Sequence, residues 1–214
     1  MLVAAGRGER LEQGLPKALV EAGGRSMLAW ALDTVRAAGI DDTDIVVVGP
    51  ADRLDEVRRQ AGSCAVVAGG ASRQASVAAG LAVLAAGVEA VLVHDAARCL
   101  TPTAVFARVL AALEQGAQAV VPTVPVTDTL RHLGGARVDR GELVAVQTPQ
   151  GFGRPALERA HAGGAVPATD DATLVEGLGD VEVTLVPGSD EAFKVTRPID
   201  LLLAEAVLAA RAAP

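Results

Sequence analysis

Leu2-Val3-Ala4-Ala5-Gly6-Arg7-Gly8-Glu9-Arg10-Leu11 is the stretch that decides the fold. A short apolar run passes straight into small residues and two glycines, which predicts a buried strand feeding one long loop of exposed backbone from Gly6 to Gly24. Similar units recur downstream. Ile45 to Val48 is continuously apolar, the pattern of a strand buried on both faces. Further strands are expected at 65–68, 91–93 and Ala119 to Val121. Between them lie helical patterns at 26–38, 51–61, 73–86 and 103–115, the first capped by Ser26 and stopped by Gly39. This alternation predicts an α/β fold, a Rossmann-like, mostly parallel sheet covered by helices.

The rhythm breaks at Pro125. From there to Glu142 the chain is polar, carries Gly134-Gly135, and alternates as a hairpin would, through Thr129-Leu130-Arg131-His132-Leu133 and Arg137-Val138-Asp139-Arg140. The expectation is a projecting β-arm at about 125–143. An isolated hairpin is marginal in water, so the arm should pack against something, a second copy of the chain being the natural candidate. Val144 to Val146 should rejoin the sheet, followed by helix 154–161, a short helix after Thr169, strand 181–186 and helix 198–212. With no repeats and no linker, residues 1–214 read as a single domain plus its arm.

Half of the chain is hydrophobic, yet it has only three Phe, one Trp and no Tyr, so its core must be built from Ala, Val and Leu. That composition excludes disorder and disfavours single-strand nucleic-acid binding, which relies on aromatic stacking. A net charge of −7 has the wrong sign for a general nucleic-acid binder. Cys64 and Cys99 stand in no metal-ligand spacing and read as buried free thiols, as suits a reducing cytoplasm. No run of about 18 apolar residues occurs, so no membrane span is expected. Met1 to Ala5 lead directly into the glycine loop, leaving no room for a signal peptide and a first strand as short as if a few residues had preceded it.

The candidate chemistry gathers after strands. Leu11 breaks a G-x-G-x-x-G dinucleotide fingerprint and no Gly-Lys-Ser/Thr occurs, yet the backbone from Ala4 to Gly8 could approach phosphates or a base, or simply make a tight turn. Arg10 and Lys17 could bring two positive charges onto a triphosphate. The chain has 17 Arg but only two Lys, Lys17 and Lys194, which suggests that a compact ammonium is needed at both places. Gly69-Gly70-Ala71-Ser72-Arg73-Gln74-Ala75-Ser76 is a second glycine turn, either a base-reading loop with Ser76 as its hydroxyl or a plain strand–helix turn capped by Ser72. His94-Asp95-Ala96-Ala97-Arg98 lies just past a central strand, where open α/β sheets bind ligands. Thr127-Asp128-Thr129, Gln147-Thr148-Pro149-Gln150 and Thr169-Asp170-Asp171 add polar groups past other strands or at helix starts. A toolkit of Arg and Lys on glycine loops, without a Ser-His-Asp set, a cysteine nucleophile or a His/Cys cluster, points to phosphoryl or nucleotidyl transfer.

In order and spacing these blocks, with Lys194-Val195-Thr196, resemble the 2-C-methyl-D-erythritol 4-phosphate cytidylyltransferases of non-mevalonate isoprenoid synthesis, over essentially the whole chain. The resemblance implies a Rossmann-like nucleotidyltransferase sheet whose β-arm clasps a partner in a homodimer. It also implies joining of CTP to 2-C-methyl-D-erythritol 4-phosphate with release of pyrophosphate, using Mg²⁺ or another divalent cation whose protein ligands stay unassigned. By motif, Ala4, Ala5, Gly70, Ala71, Ser76 and Ala96 would hold the cytidine, and Gly6, Arg7 and Gly8 the triphosphate. Arg10 and Lys17 would stabilise the transition state. Asp95, Arg98, Thr129, Thr148 and Lys194 would hold the sugar phosphate, with Arg140 arriving from the partner's arm. Three departures from the family's habit stand at Val3, Ala71 and Ala192-Phe193, where relatives often carry Pro, an acidic residue and Asn-Ile. A ribitol 5-phosphate cytidylyltransferase shares the same loops, and an NAD-dependent oxidoreductase is the alternative from another class.

Overall fold

The computed structural model describes residues 1–163 and 168–212. Strand β1 (Leu2–Val3) opens the chain, followed by a hairpin of β2 (Glu21–Ala22) and β3 (Arg25–Ser26) and helix α1 (Met27–Ala37). Then come β4 (Val46–Gly49), α2 (Leu54–Ala61), β5 (Ala65–Ala68), α3 (Arg73–Leu81), β6 (Ala90–Asp95) and α4 (Thr103–Glu114). The second half holds β7 (Ala119–Pro125), β8 (Val144–Val146), β9 (Gln150–Gly153), α5 (Arg154–Ala162), α6 (Asp171–Glu176), β10 (Val183–Pro187) and α7 (Pro198–Ala212).

The main sheet runs β10-β7-β9-β6-β1-β4-β5. Pairs β4–β5, β1–β4, β1–β6 and β7–β10 are parallel, whereas β9 is antiparallel to both β6 and β7. Successive side chains of a strand enter opposite cores. On β6, Val91 and Val93 join a core with Val77, Phe152, Leu157 and Val175, while Leu92 packs on the opposite core of Leu2, Leu28, Leu32, Val47 and Phe106. Helices therefore cover both faces, which forces the central strands to be apolar throughout. Helix α1 shows how its face is chosen. Ser26 Oγ accepts the Ala29 N–H at 3.0 Å, and Leu28, Ala31, Leu32 and Val35, spaced as one helical stripe, are all buried. Among the described residues no helix is long and apolar enough to cross a membrane.

Three elements depart from the sequence reading. The stretch from Gly6 to Gly24, expected as one loop, ends in the β2–β3 hairpin, whose two-residue turn uses Gly23 and Gly24 at φ 58° and 75°. Helix α3 stops at Leu81 instead of 86, because the chain tightens into i→i+3 bonds from Val83 to Gly80 and from Leu84 to Leu81, returning Leu84 to the core. Strand β9 was hidden by its composition, Gln-Gly-Phe-Gly. Its glycines are required by close approach: a methyl on Gly151 would lie 2.5 Å from Val109 Cγ1 and 2.8 Å from Leu113 Cδ1, so α4 could not sit on the sheet.

The arm leaves the sheet as β7 and β8, paired antiparallel from Thr123–Val146 to Pro125–Val144. Beyond them the two sides meet through one bridge, Arg131 with Arg137, and a turn in which Gly135 adopts φ 90°. Leu133 at the tip is fully exposed, as are parts of Leu143, Val144 and Val146 near the base.

Gly151→Ala should lower the denaturation midpoint by an amount equivalent to roughly 1–3 kcal/mol, as overpacking does, with the slope m unchanged. Gly87→Ala, where nothing lies within 4 Å of the added methyl, should move stability by less than about 0.5 kcal/mol.

Candidate functional site

The loops that follow β1, β5 and β6 end side by side and enclose a cavity of about 450 Å³. Its walls are largely backbone and small side chains, from Ala4 to Gly6, from Gly70 to Ser72, and Ala96 with Ala97. Glycine makes this packing possible. A methyl on Gly69 would fall 2.3 Å from Ala5 Cβ, so the first and second glycine loops touch. Gly8, at φ 72°, lies where a methyl would be 2.6 Å from Lys17 Cβ, and Lys17 N–H donates to Gly6 O at 3.1 Å. The first loop thus folds back on itself and delivers Lys17 to the pocket. Ser76 Oγ accepts the Gly70 N–H at 3.1 Å and donates to Ser72 O at 2.8 Å, fixing the second loop from inside.

The charged groups of the pocket are Arg7, Lys17, Arg73, Asp95 and Lys194. Asp95 stands at the end of central strand β6, with Lys194 Nζ at 2.6 Å from Oδ2 and Arg73 Nε at 3.3 Å from Oδ1. Burial pushes its carboxyl up, but Lys194, Arg73 and Arg98 outweigh that and hold it well below the usual carboxylate range. Lys17 is lowered to about 8, by burial first and then by repulsion from Lys194, with Asp95 opposing. Its ammonium donates to Thr196 Oγ1 at 3.4 Å, and that hydroxyl donates to Lys194 O at 3.0 Å, so both lysines are tied to one segment. His94 is buried and pushed down to about 3 by desolvation, with Thr148 Oγ1 at 3.0 Å from Nδ1. It stays neutral and offers the pocket no base.

The sequence-predicted residues fall into three groups. Ala4, Ala5, Gly6, Arg7, Lys17, Gly70, Ala71, Ser76, Asp95, Ala96 and Lys194 all line the pocket. Gly8, Thr148 and Arg98 lie behind the wall. Thr148 Oγ1 accepts the Asp95 N–H at 3.0 Å. Arg98 donates to Ala192 O at 2.7 Å and Val146 O at 3.0 Å, joining the Lys194 segment to the base of the arm. Gln147 strengthens that junction, its amide exchanging two hydrogen bonds with the Ser189 backbone at 2.8 and 3.0 Å. Arg10, Thr129 and Arg140 are not among the pocket's lining residues, and Arg140 donates to Thr127 O of its own chain. The sequence reading missed Arg73, Thr196, Asp171 and His161. Arg73 recurs within the second glycine block, but an Arg at the first turn of a helix gives no sign of which carboxylates it will meet.

Among the described residues no group of three or more His, Cys, Asp or Glu is placed to hold a metal ion. What the pocket combines is close-packed backbone, two ammonium groups and a carboxylate already neutralised. That arrangement suits a phosphorylated ligand, on which it could stabilise negative charge.

Comparison with known proteins agrees with this chemistry. Residues 1–210 match the family model described as 2-C-methyl-D-erythritol 4-phosphate cytidylyltransferase. A protein of Frankia casuarinae with that name is 50% identical over 96% of this chain and 79% of its own length. A protein of Clavibacter michiganensis named bifunctional enzyme IspD/IspF is 48% identical over 98% of this chain, which spans 54% of that relative's length. The crystal structure of 2-C-methyl-D-erythritol 4-phosphate cytidylyltransferase from Thermus thermophilus superposes with a TM-score of 0.79 at 39% identity, over 96% of each chain. Neither the ribitol phosphate nor the dinucleotide alternative is favoured by these relatives. The chain belongs to the 2-C-methyl-D-erythritol 4-phosphate cytidylyltransferase family and is a nucleotidyltransferase.

Proposed function

We propose that the pocket between the β1, β5 and β6 loops is where the chain transfers the CMP moiety of CTP to 2-C-methyl-D-erythritol 4-phosphate, a step of isoprenoid precursor synthesis. The observation that carries this reading is the convergence of the chain's only two lysines on one pocket walled by glycine-loop backbone. Cytosine fits against Gly70, Ala71 and Ala96, where main-chain groups can read its edge. The triphosphate follows the Gly6 to Gly8 loop toward Lys17, with Arg10 approaching from the same loop. Asp95 and Lys194 face the acceptor. Thr148 and Arg98 support these two from behind, and Thr129 on the arm completes the acceptor side.

The acceptor's phosphate is already ionised near neutral pH, so no general base is required. One of its oxygens forms a bond to the α-phosphorus as the bond to the bridging oxygen breaks in line, and pyrophosphate departs with that electron pair. Lys17 and Arg10 meet the charge that grows on the α-phosphoryl and the leaving group. Partial desolvation of Lys17 strengthens its pull on that charge. Lys194 holds the attacking phosphate. We assign Mg²⁺ or another divalent cation as the cofactor. Asp95 is the one carboxylate among the pocket's lining residues and is occupied by Lys194 and Arg73, so the residues present fit a cation carried on the triphosphate oxygens and water. When bound, such a cation neutralises charge on the departing pyrophosphate.

We further assign the arm to a two-fold dimer. Arg140 lies in an open groove with Leu143, Val144 and Leu185, apolar side chains that are partly exposed and suited to a second copy. In that arrangement Arg140 serves the partner's site. We place the enzyme in the cytoplasm, where the buried free thiols stay reduced. Cys99, pushed up to about 11 by burial, is an unreactive structural thiol.

Lys17→Ala should remain folded and lose turnover by roughly 10²- to 10³-fold. In the wild type, kcat/KM for CTP should fall above about pH 8 as the free ammonium loses its proton. The kcat profile should fall only at higher pH, because the bound triphosphate holds that proton on. Lys17→Arg should rescue turnover poorly while abolishing the alkaline limb, and near-normal turnover in Lys17→Ala would remove Lys17 from the mechanism.

Pyrophosphate release from the four nucleoside triphosphates, each with methylerythritol and ribitol phosphates, tests substrate choice. CTP with methylerythritol phosphate should exceed all other pairs. Purines clash with the fixed loops, and UTP presents an acceptor where cytosine presents a donor. Equal rates for all four nucleotides would refute base reading by this pocket.

Lys17→Ala and Arg140→Ala homodimers should each be nearly inactive. Co-expressed with two tags, half of the dimers are mixed and each mixed dimer has one intact site, so activity should return to about a quarter of wild type. No recovery in confirmed mixed dimers would place Arg140 in its own chain's site and reject the exchanged arm.

A further inference from the structure

From the pocket wall a line of ionisable side chains runs back into the fold across five segments. His161 on α5 places Nε2 at 3.0 Å from Asp171 Oδ1, and Arg73 on α3 places Nη1 at 2.7 Å from Asp171 Oδ2. The line continues from Arg73 Nε to Asp95 Oδ1 and from Asp95 Oδ2 to Lys194 Nζ. Asp171 is completely buried at the start of α6, and its N–H donates to Gln150 Oε1 at 3.2 Å. Arg73 Nη2 is buried and has no hydrogen-bond partner among the described residues, so nothing on that nitrogen sets the guanidinium's orientation. Among the described residues the plane of Arg73 is thus set by two carboxylates, one lining the pocket and one completely buried at the start of α6.

Buried ion pairs are poor stabilisers compared with apolar residues of the same size, because desolvation consumes most of their attraction. Their strength is geometric: a guanidinium held by two carboxylates has one orientation. From this geometry we propose that Asp171 is a positioning residue for acceptor binding, acting through Arg73 to hold Asp95, and with it Lys194, in register for the sugar phosphate. Without Asp171, Arg73 keeps one tether and can rotate about its long side chain. Asp95 is then drawn off its line with Lys194, and the acceptor meets groups that are present but misaligned. The CTP wall, built from Ala4 to Gly6 and from Gly70 to Ala71, adjoins Arg73 in sequence but is held by its own bonds, from Ser76 Oγ to Gly70 N–H and Ser72 O, so rotation of the Arg73 side chain should leave its geometry in place. The inference rests on the assignment of Asp95 and Lys194 to the acceptor.

The test is steady-state kinetics with each substrate varied, on folded protein verified by thermal melting. Asp171→Asn should raise KM for the sugar phosphate roughly tenfold, the scale of a small misplacement of binding groups, and leave KM for CTP within about twofold. Arg73→Lys, which can reach only one carboxylate at a time, should act likewise, and the double variant should be no worse than Arg73→Lys alone, as expected when one residue acts through the other. A merely structural role would shift both KM values together or add in the double variant, and either result overturns the proposal. An acceptor KM unchanged in Asp171→Asn also overturns it. Should Asp171→Asn fail to fold, Arg73→Lys decides by the same split. Lys194→Ala is the control: if it leaves the acceptor KM unchanged, the acceptor assignment itself is at fault, whereas a raised value there with a normal Asp171→Asn rejects only the positioning role.

Discussion

The Asp95 carboxylate is the constraint on which the site depends. It ends the central strand β6, it is nearly buried, and it stays ionised only because Lys194 and Arg73 reach it from opposite sides. Desolvation by itself pushes the carboxyl toward its neutral form, and the two cations oppose it. Two of the four cations that line the pocket, Arg73 and Lys194, are anchored to this point. Arg73 arrives from α3, Lys194 from the segment before α7, and Thr148 holds the backbone of Asp95 in place. Asp95 is placed by the strand it ends, whereas Arg73 and Lys194 reach it from a helix start and from an irregular segment outside the sheet.

Lys17 is the counterpart on the nucleotide side. Its pocket is crowded with positive charge, and repulsion from Lys194 together with burial leaves it at about 8, near the edge of deprotonation. An anionic ligand relieves that crowding. The same arrangement that destabilises the free ammonium therefore favours a triphosphate, and favours most the state with the largest negative charge on the reacting phosphoryl. Loop packing makes the crowding possible: Gly8 and Gly69 let backbone approach where any side chain would collide.

The arm connects to this machinery at its base. Arg98 joins Val146 of β8 to Ala192 beside Lys194, and Gln147, the residue after that strand, grips Ser189. Arg98, expected from the resemblance to hold the sugar phosphate, directs two of its donors to these main-chain carbonyls. Strand β8 continues along the edge of β7 where β9 leaves off, so the polar excursion from 125 to 143 is inserted between two strands of one sheet. An arm mounted in this way can be exchanged between subunits without disturbing the core.

Much of the fold was legible in the sequence, because period and punctuation carry it. The apolar run at 45–48 read as a doubly buried strand and that at 91–93 as a strand, and Ser26 and Gly39 marked the two ends of the first helix. The glycine loops and the rarity of lysine single out Lys17 and Lys194 from the chain alone. Strand β9 was not legible, since a strand with two glycines exists only because α4 packs onto it. Nor were the partners of Arg73. Asp95 and Asp171 lie 22 and 98 residues away along the chain, and no local rule relates such distances. The sequence by itself determined which residue types were available, where most strands and turns fall, and that the chemistry is anionic, because these follow from side-chain periodicity and charge. Only the tertiary structure decided which charges meet, since ion pairs between distant segments are set by strand order and helix packing, which appear once the chain has closed on itself.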